Sequence, residues 1–197
     1  MPLVLARWAM VFNSVRRDDG STTAFWKIPY AQRASTKGTA APDQNYYQGS
    51  LYPLGRQYMD VIIDLPGTVK IVAVVDTTGI DPTTMKFQGV SARDGSHDGI
   101  VGTHFEGGWS SFDKDFDQTM PRPEDNCAVL YESVTQHYGN CWAYNLGSDA
   151  DEPHLDGGVG PHVNNMTLTE LGLAQQAPAQ AAGRYSQVRR IARFTRW

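Results

Sequence analysis

The stretch Gln57 to Asp76, QYMDVIIDLPGTVKIVAVVD, constrains the fold more than any other part of the chain. Successive side chains of a strand point to opposite faces, so residues two apart share a face. Met59, Val61, Ile63 and Leu65 fall on one face, with Tyr58, Asp60, Ile62 and Asp64 on the other. Pro66-Gly67 suits the central positions of a type II turn, because Pro presets φ and Gly accepts a positive one. Beyond the turn Val69, Ile71, Ala73 and Val75 repeat the alternation. These two runs predict a β-hairpin.

The rest of the chain is punctuated too often for long helices. Its 197 residues hold 19 glycines and 11 prolines, each of which weakens or breaks a helix interior. A second hairpin is expected from RWAMVFNSV and STTAFWKIPY, rich in β-branched and aromatic residues and separated by the polar turn RRDDG. AQRASTKGTAAPDQNYYQGS, which follows, has no periodicity and reads as a contact loop. MKFQGV, Cys127 to Val134 and Cys141 to Leu146 read as further short strands. Ser91 to Thr119 reads as loops interleaved with Phe105, Trp109, Phe112 and Phe116. A single short helix is expected at MTLTELGL, where Thr167 and Glu170 have capping-box spacing and Met166 and Leu171 can form a hydrophobic staple.

The fold class that follows is all-β: an antiparallel β-sandwich or barrel, jelly-roll-like, with long loops, one short helix and a C-terminal arm. Residues 1–173 form the β-rich domain, 174–183 (AQQAPAQAAG) have linker composition, and 184–197 form a basic and aromatic arm. The apolar N-terminal run is interrupted by Arg7 and is expected to be structure rather than a signal. No run of roughly 18 apolar residues is present, so no membrane-spanning helix is encoded.

Charge narrows the partners. The net charge is −4, so no broad positive field favours nucleic acid. The arm carries Arg184, Arg189, Arg190, Arg193 and Arg196, interleaved with Tyr185, Val188, Ile191, Phe194 and Trp197; its +5 leaves −9 on the remainder. Arginine forks with aromatic anchors suit docking on an acidic protein surface. Arg184, Arg189, Arg190, Arg193, Phe194 and Trp197 are therefore expected to bind a partner, either a second copy or another subunit of an assembly.

Three segments bear on chemistry. In YGNCWAYN, Gly139, Cys141 and Trp142 match the C-G-[SA]-C-W nucleophile segment, so over about five residues the chain is similar to papain-like cysteine proteases. Tyr138 replaces the first Cys, Asn140 replaces the small residue, and no helix follows Cys141 to lower its thiol pKa. Cys141 is therefore expected to pack or to form a disulfide, with reduced Cys127 and Cys141 the blander expectation and a Cys141–His137 hydrolase pair the alternative. In DGSHDG, the odd positions Asp94, Ser96 and Asp98 followed by Gly99 reproduce part of a calcium loop. The expected twelfth-position carboxylate is missing, since Phe105 stands there. With Trp109 nearby, that loop suggests a calcium-assisted, glycan-binding module. Finally Asp149, Asp151, Glu152, His154, Asp156 and His162 lie within fourteen residues without any recognised metal spacing, which reads as a solvated acidic loop.

The functional expectation is a structural or interaction protein without catalytic activity. It would be a subunit of a symmetric assembly such as a viral particle or phage tail, located in a virion or outside the cell, and needing no cofactor except that calcium is possible.

Overall fold

A computed structural model describes residues 8–16, 23–117, 126–147, 160–175 and 184–197. In chain order the strands of its first half are β1 (Ala9–Val15), β2 (Thr36–Gly38), β3 (Tyr46–Gln48), β4 (Gln57–Ile63), β5 (Val69–Asp76), β6 (Gly79–Ile80), β7 (Phe87–Gln88) and β8 (Ser91–Ala92). There follow β9 (Gly108–Ser110), β10 (Gln136–Tyr138), β11 (Tyr144–Asn145), β12 (His162–Asn164), β13 (Tyr185–Gln187) and β14 (Arg190–Arg196). The described α-helices are α1 (Thr23–Trp26), α2 (Asp98–His104), α3 (Cys127–Leu130) and α4 (Asn165–Leu171).

The fold is all-β, antiparallel and sandwich-like. One seven-stranded sheet has the order β2-β3-β1-β14-β4-β5-β8, and three small sheets, β9-β10, β11-β12-β13 and β6-β7, complete the scaffold. The large sheet stays open, with β2 and β8 at its edges, so the barrel expectation is not met. A continuous apolar core joins the large sheet to the smaller ones through Trp26, Tyr58, Phe87, Phe105, Trp109 and Tyr144.

The β4-β5 hairpin forms as its alternation predicts, and Asp64 builds its turn. Its Oδ1 accepts from Gly67 N at 2.9 Å and Thr68 N at 2.6 Å, while its Oδ2 accepts from Ala174 N at 3.0 Å. Burial opposes ionisation of this carboxyl, yet the backbone N–H groups aimed at it hold its pKa below the usual aspartate value. Gly67, at φ +106°, occupies a conformation that only Gly adopts without strain.

The hairpin's orientation departs from the simple pattern. The buried face of β4 is Tyr58, Asp60 and Ile62, all fully buried, whereas Met59, Val61 and Ile63 point outward and are half-buried. Opposite them, the register slips between Asp60 and Val61: Ala73 pairs with Asp60, but Ile71 pairs with Val61. Val72 is the extra residue of this β-bulge, and one inserted residue moves every later side chain to the other face. Ala73 and Val75 therefore face the core, while Ile71 and Val69, expected on the same face as them, turn outward.

Several other expectations are corrected. The C-terminal segment is not an arm: β14 lies between β1 and β4, with seven consecutive residue pairs to β4, from Arg190↔Ile63 to Arg196↔Gln57. The physical reason is its period-2 pattern, which puts Ile191, Arg193 and Thr195 on the buried side and leaves Arg190, Phe194 and Arg196 half-buried. The domain boundary at 173 thus dissolves. Of the linker, Ala174 and Gln175 are described and 176–183 lie outside the described residues.

The N-terminal hairpin is also not formed, because β1 pairs with β14 and β3. The segment expected to be its second strand is α1 followed by a 3₁₀ turn at Tyr30–Gln32, which buries Trp26 and Ile28. The long loop after it folds into the β2-β3 hairpin, and Asn13 ties its tip down by donating to the carbonyls of Ala41, Pro42 and Gln44. Cys127 to Leu130 is helical rather than extended, since the Asn126 side chain caps the N–H of Ala128 at 2.8 Å. A helix also interrupts the loop region at Asp98–His104. In α4 the cap is Asn164, not Thr167, and Gly172 closes the helix at φ +65°. Met166 is 72% exposed, so it makes no staple with Leu171.

Candidate functional site

Among the described residues, a dense group of titratable side chains is sealed in the core. Strand register sets Arg193 opposite Asp60, and the guanidinium grips the carboxylate in a bidentate pair, both contacts at 2.7 Å. The Tyr144 hydroxyl donates to Asp60 at 2.7 Å and accepts from Arg193 at 3.0 Å. Phe105 lies 4.0 Å from the guanidinium. The His104 ring stacks on Tyr144 at 3.6 Å; its Nε2 accepts from the N–H groups of Ala143 at 3.2 Å and Tyr144 at 3.1 Å. This assigns the proton of His104 to Nδ1, which donates to the His137 carbonyl at 3.0 Å. His137 in turn donates Nε2–H to the Met85 carbonyl at 2.9 Å.

Burial holds both imidazoles neutral, and the Arg193 charge adds to the effect: His104 falls well below the ordinary histidine value, and His137 falls to about 3. A carboxylate, a phenol and two imidazoles together resemble acid–base equipment. Asp60, His104, His137, Tyr144 and Arg193 are each at most 2% exposed, however, so no substrate reaches them, and the network holds β4, β10, β11 and β14 together. Arg193 is likewise unavailable to a partner, which corrects its assignment as a docking residue.

The cysteine reading is settled by a disulfide. Cys127 and Cys141 are bridged, with Cα atoms 5.3 Å apart, so the pair is not reduced and Cys141 offers no thiolate for a hydrolase. His137 is turned to Met85, and Cys141 itself sits at φ +50° after a tight Gly139–Cys141 bridge.

In the Asp94 loop the Ser96 side chain is turned to the neighbouring strand. Ser96 Oγ donates to Val74 O at 3.0 Å and accepts from Val74 N at 2.9 Å, which fastens the loop to β5. Asp98 opens α2, capped by the His97 side chain. Among the described residues no three His, Cys, Asp or Glu side chains gather to hold a metal. Trp109 is 1% exposed and offers no stacking platform for a sugar. Asp149, Asp151, Glu152, His154 and Asp156 lie outside the described residues, and His162 is buried.

A cleft of about 680 Å³ opens between α2 and α4. Its main polar feature is His97 Nε2–H donating to Glu170 at 2.7 Å, while Nδ1 accepts from Ile100 N at 3.3 Å. Both nitrogens are thus engaged, Nε2 in joining the two helices and Nδ1 in capping α2.

The remaining candidate is the outer face of the large sheet. Met59, Val61 and Ile63 of β4, Phe194 of β14, Met10 of β1 and Val74 of β5 are half-buried there, and Val69 and Ile71 are 64% and 53% exposed. Strand β8 pairs only with Val75 and Asp76. Among the described residues no strand pairs with the far side of Val69–Ile71, so that backbone is an open edge. Of the expected docking residues, Arg184 is exposed, Arg189 donates to Leu65 O at 2.7 Å, Arg190 binds Asn13, and Trp197 is 73% exposed at the end of β14. The same signals that mark a hairpin, alternation and turn chemistry, do not reveal this face; the bulge at Val72 creates it. No protein-family model matches the sequence, and no curated protein matches it.

Proposed function

We propose that the protein is a structural subunit that assembles with further copies of itself through the outer face and open edge of the seven-stranded sheet. One observation carries the reading: Met59, Val61 and Ile63 of β4 and the start of β5 point away from the core, with Val69 and Ile71 exposed on a strand edge that no described strand pairs. Exposed edges of this kind template pairing with another chain, and soluble monomers ordinarily blunt them. A two-fold axis beside Val69-Lys70-Ile71 brings the same three residues together antiparallel, extends the sheet across two subunits and sets Val69 and Ile71 of one copy beside those of the other. A particle such as a virion or phage tail is the kind of symmetric assembly this suits. The Cys127–Cys141 disulfide supports an oxidising, extracellular setting for it.

The test is particle mass by light scattering coupled to size exclusion, on the wild type and on Ile71→Lys. The expected outcome is an oligomer that Ile71→Lys dissociates without loss of the folded circular dichroism spectrum. A wild-type monomer at all attainable concentrations, or an oligomer indifferent to Ile71→Lys and Val69→Lys, overturns the reading.

A further inference from the structure

A second concavity, of about 320 Å³, lies at the end of the sheet where β1 and β4 finish and β14 begins. Register brings its walls together: Val15 pairs with Arg190, Arg16 N donates to Arg189 O at 2.9 Å, and Arg189 N donates to Ile63 O at 2.9 Å. Arg16, Arg189 and Arg190 thus line one pocket, whose acidic lining residue among those described is Asp43.

Arg189 and Arg190 are held in place by neutral groups. Arg190 Nε donates to Asn13 Oδ1, and its Nη2 lies 3.8 Å from Met10 Sδ. Asn13 is itself fully buried, and its amide nitrogen is committed to three loop carbonyls, so its oxygen is fixed toward Arg190. Arg189 is oriented by the Leu65 carbonyl. Neither Arg189 nor Arg190 pairs with a carboxylate among the described residues. A partly desolvated cation without a counter-charge is an unfavourable arrangement that an incoming anion relieves. Burial accordingly lowers the pKa of Arg190. Guanidinium forks with neutral anchors match the geometry of oxyanions, and a doubly charged one engages more of them at once.

We propose that this pocket binds a small phosphomonoester. The dianionic head meets Arg189 and Arg190, with Arg16 at the rim. The substituent lies against Val15, Pro42 and Ile63, which supply an apolar wall, and the volume exceeds the need of a bare phosphate. This inference does not depend on the subunit reading, since the pocket is complete within one chain.

The experiment measures thermal melting at constant ionic strength while phenyl phosphate, inorganic phosphate or benzoate replaces chloride, with ³¹P line broadening as a direct readout of binding. A ligand selective for the folded state raises Tm in a saturable way. The expected order is phenyl phosphate above inorganic phosphate above benzoate. Arg190→Gln and Arg189→Gln, checked for a native circular dichroism spectrum, should each weaken phenyl phosphate by about tenfold. Asp43→Asn removes a repulsive carboxylate from the lining and should tighten binding by a few-fold. A flat response of the wild type overturns the proposal. So does a response equal in both arginine variants, weakened by Asp43→Asn, or matched by benzoate.

Discussion

Lowering the pH should destabilise this protein before its carboxylates titrate, and His104 and His137 are the reason. In the folded chain His104 receives two backbone N–H bonds on Nε2, so a proton there would break both bonds. His137 is buried beside Arg193 and is pushed down to about 3. Unfolded, each imidazole returns to about 6.5. Because the folded pKa lies below the unfolded one, the unfolded state takes up protons first as the pH drops. The stability is complete above about pH 6.5 and is lost progressively toward pH 3. The slope approaches about 1.4 kcal/mol per pH unit for His137, which therefore costs about 2 kcal/mol at pH 5, and His104, lowered by the same causes, adds to the loss. That is a large part of a total stability of about 5 to 15 kcal/mol. The paired carboxylates, Asp64 and Asp76, have lowered values and act in a lower window. Urea unfolding at pH 7.5 and at pH 5.0 measures the difference. His137→Gln keeps a donor for the Met85 carbonyl but cannot titrate, and it should roughly halve the pH dependence. Equal stability at the two pH values, or the His104 and His137 resonances, assigned by substitution, titrating near 6.5 in the folded protein, would refute the reasoning.

Three further perturbations test the fold. Arg193→Met leaves Asp60 charged and unpaired in the core and should cost about 3 to 5 kcal/mol in a denaturant melt, whereas Asp60→Leu combined with Arg193→Met should recover much of the loss. Reducing the Cys127–Cys141 bridge, or replacing both cysteines by serine, frees a loop of 14-residue separation and should cost about 3 kcal/mol by melting. Truncation after Gly183 removes the strand between β1 and β4 and should give a chain that fails to fold by circular dichroism; a truncated protein with native melting would contradict the placement of β14.

What was legible in the sequence was local. Alternation over Gln57 to Asp76 and the Pro66-Gly67 turn marked the hairpin, because both act within a few residues. The role of Asp60 was not legible, since its partner Arg193 stands 133 residues away and a lone aspartate in a strand reads as a solvent-facing residue. The same distance hid the identity of the C-terminal segment. Alternating arginine with aromatic and aliphatic residues suits a docking arm and a strand equally well, and only the register that sets Arg193 against Asp60 decides between them. Helices α1 and α3 were missed for a related reason. Each is one turn long, too short for periodicity to register; α1 is held by a contact from elsewhere, the Lys37 ammonium on the carbonyls that end it, and α3 by the Asn126 cap.

The outer face is where local pattern and tertiary structure part most sharply. A strand pattern shows which residues share a face but not which face is inside, and the usual rule assigns the more apolar one to the core. Here Met59, Val61 and Ile63 are the more apolar set, yet Tyr58, Asp60 and Ile62 are the buried one. The inversion is affordable because Asp60 meets Arg193 and Tyr144, so the polar groups turned inward are satisfied. Val72 then completes it: a regular β5 would have turned Ile71 and Val69 to the core side with Ala73, and the bulge instead sends them to join Val61 and Ile63. The chain thus spends a buried ion pair and a bulge to place hydrocarbon on its exterior. A monomer would gain stability from the opposite arrangement, with the aliphatic set inside and the charges in water. Such an inversion makes physical sense when the outer face is covered in the working state, and the light-scattering comparison of wild type with Ile71→Lys bears on that point directly.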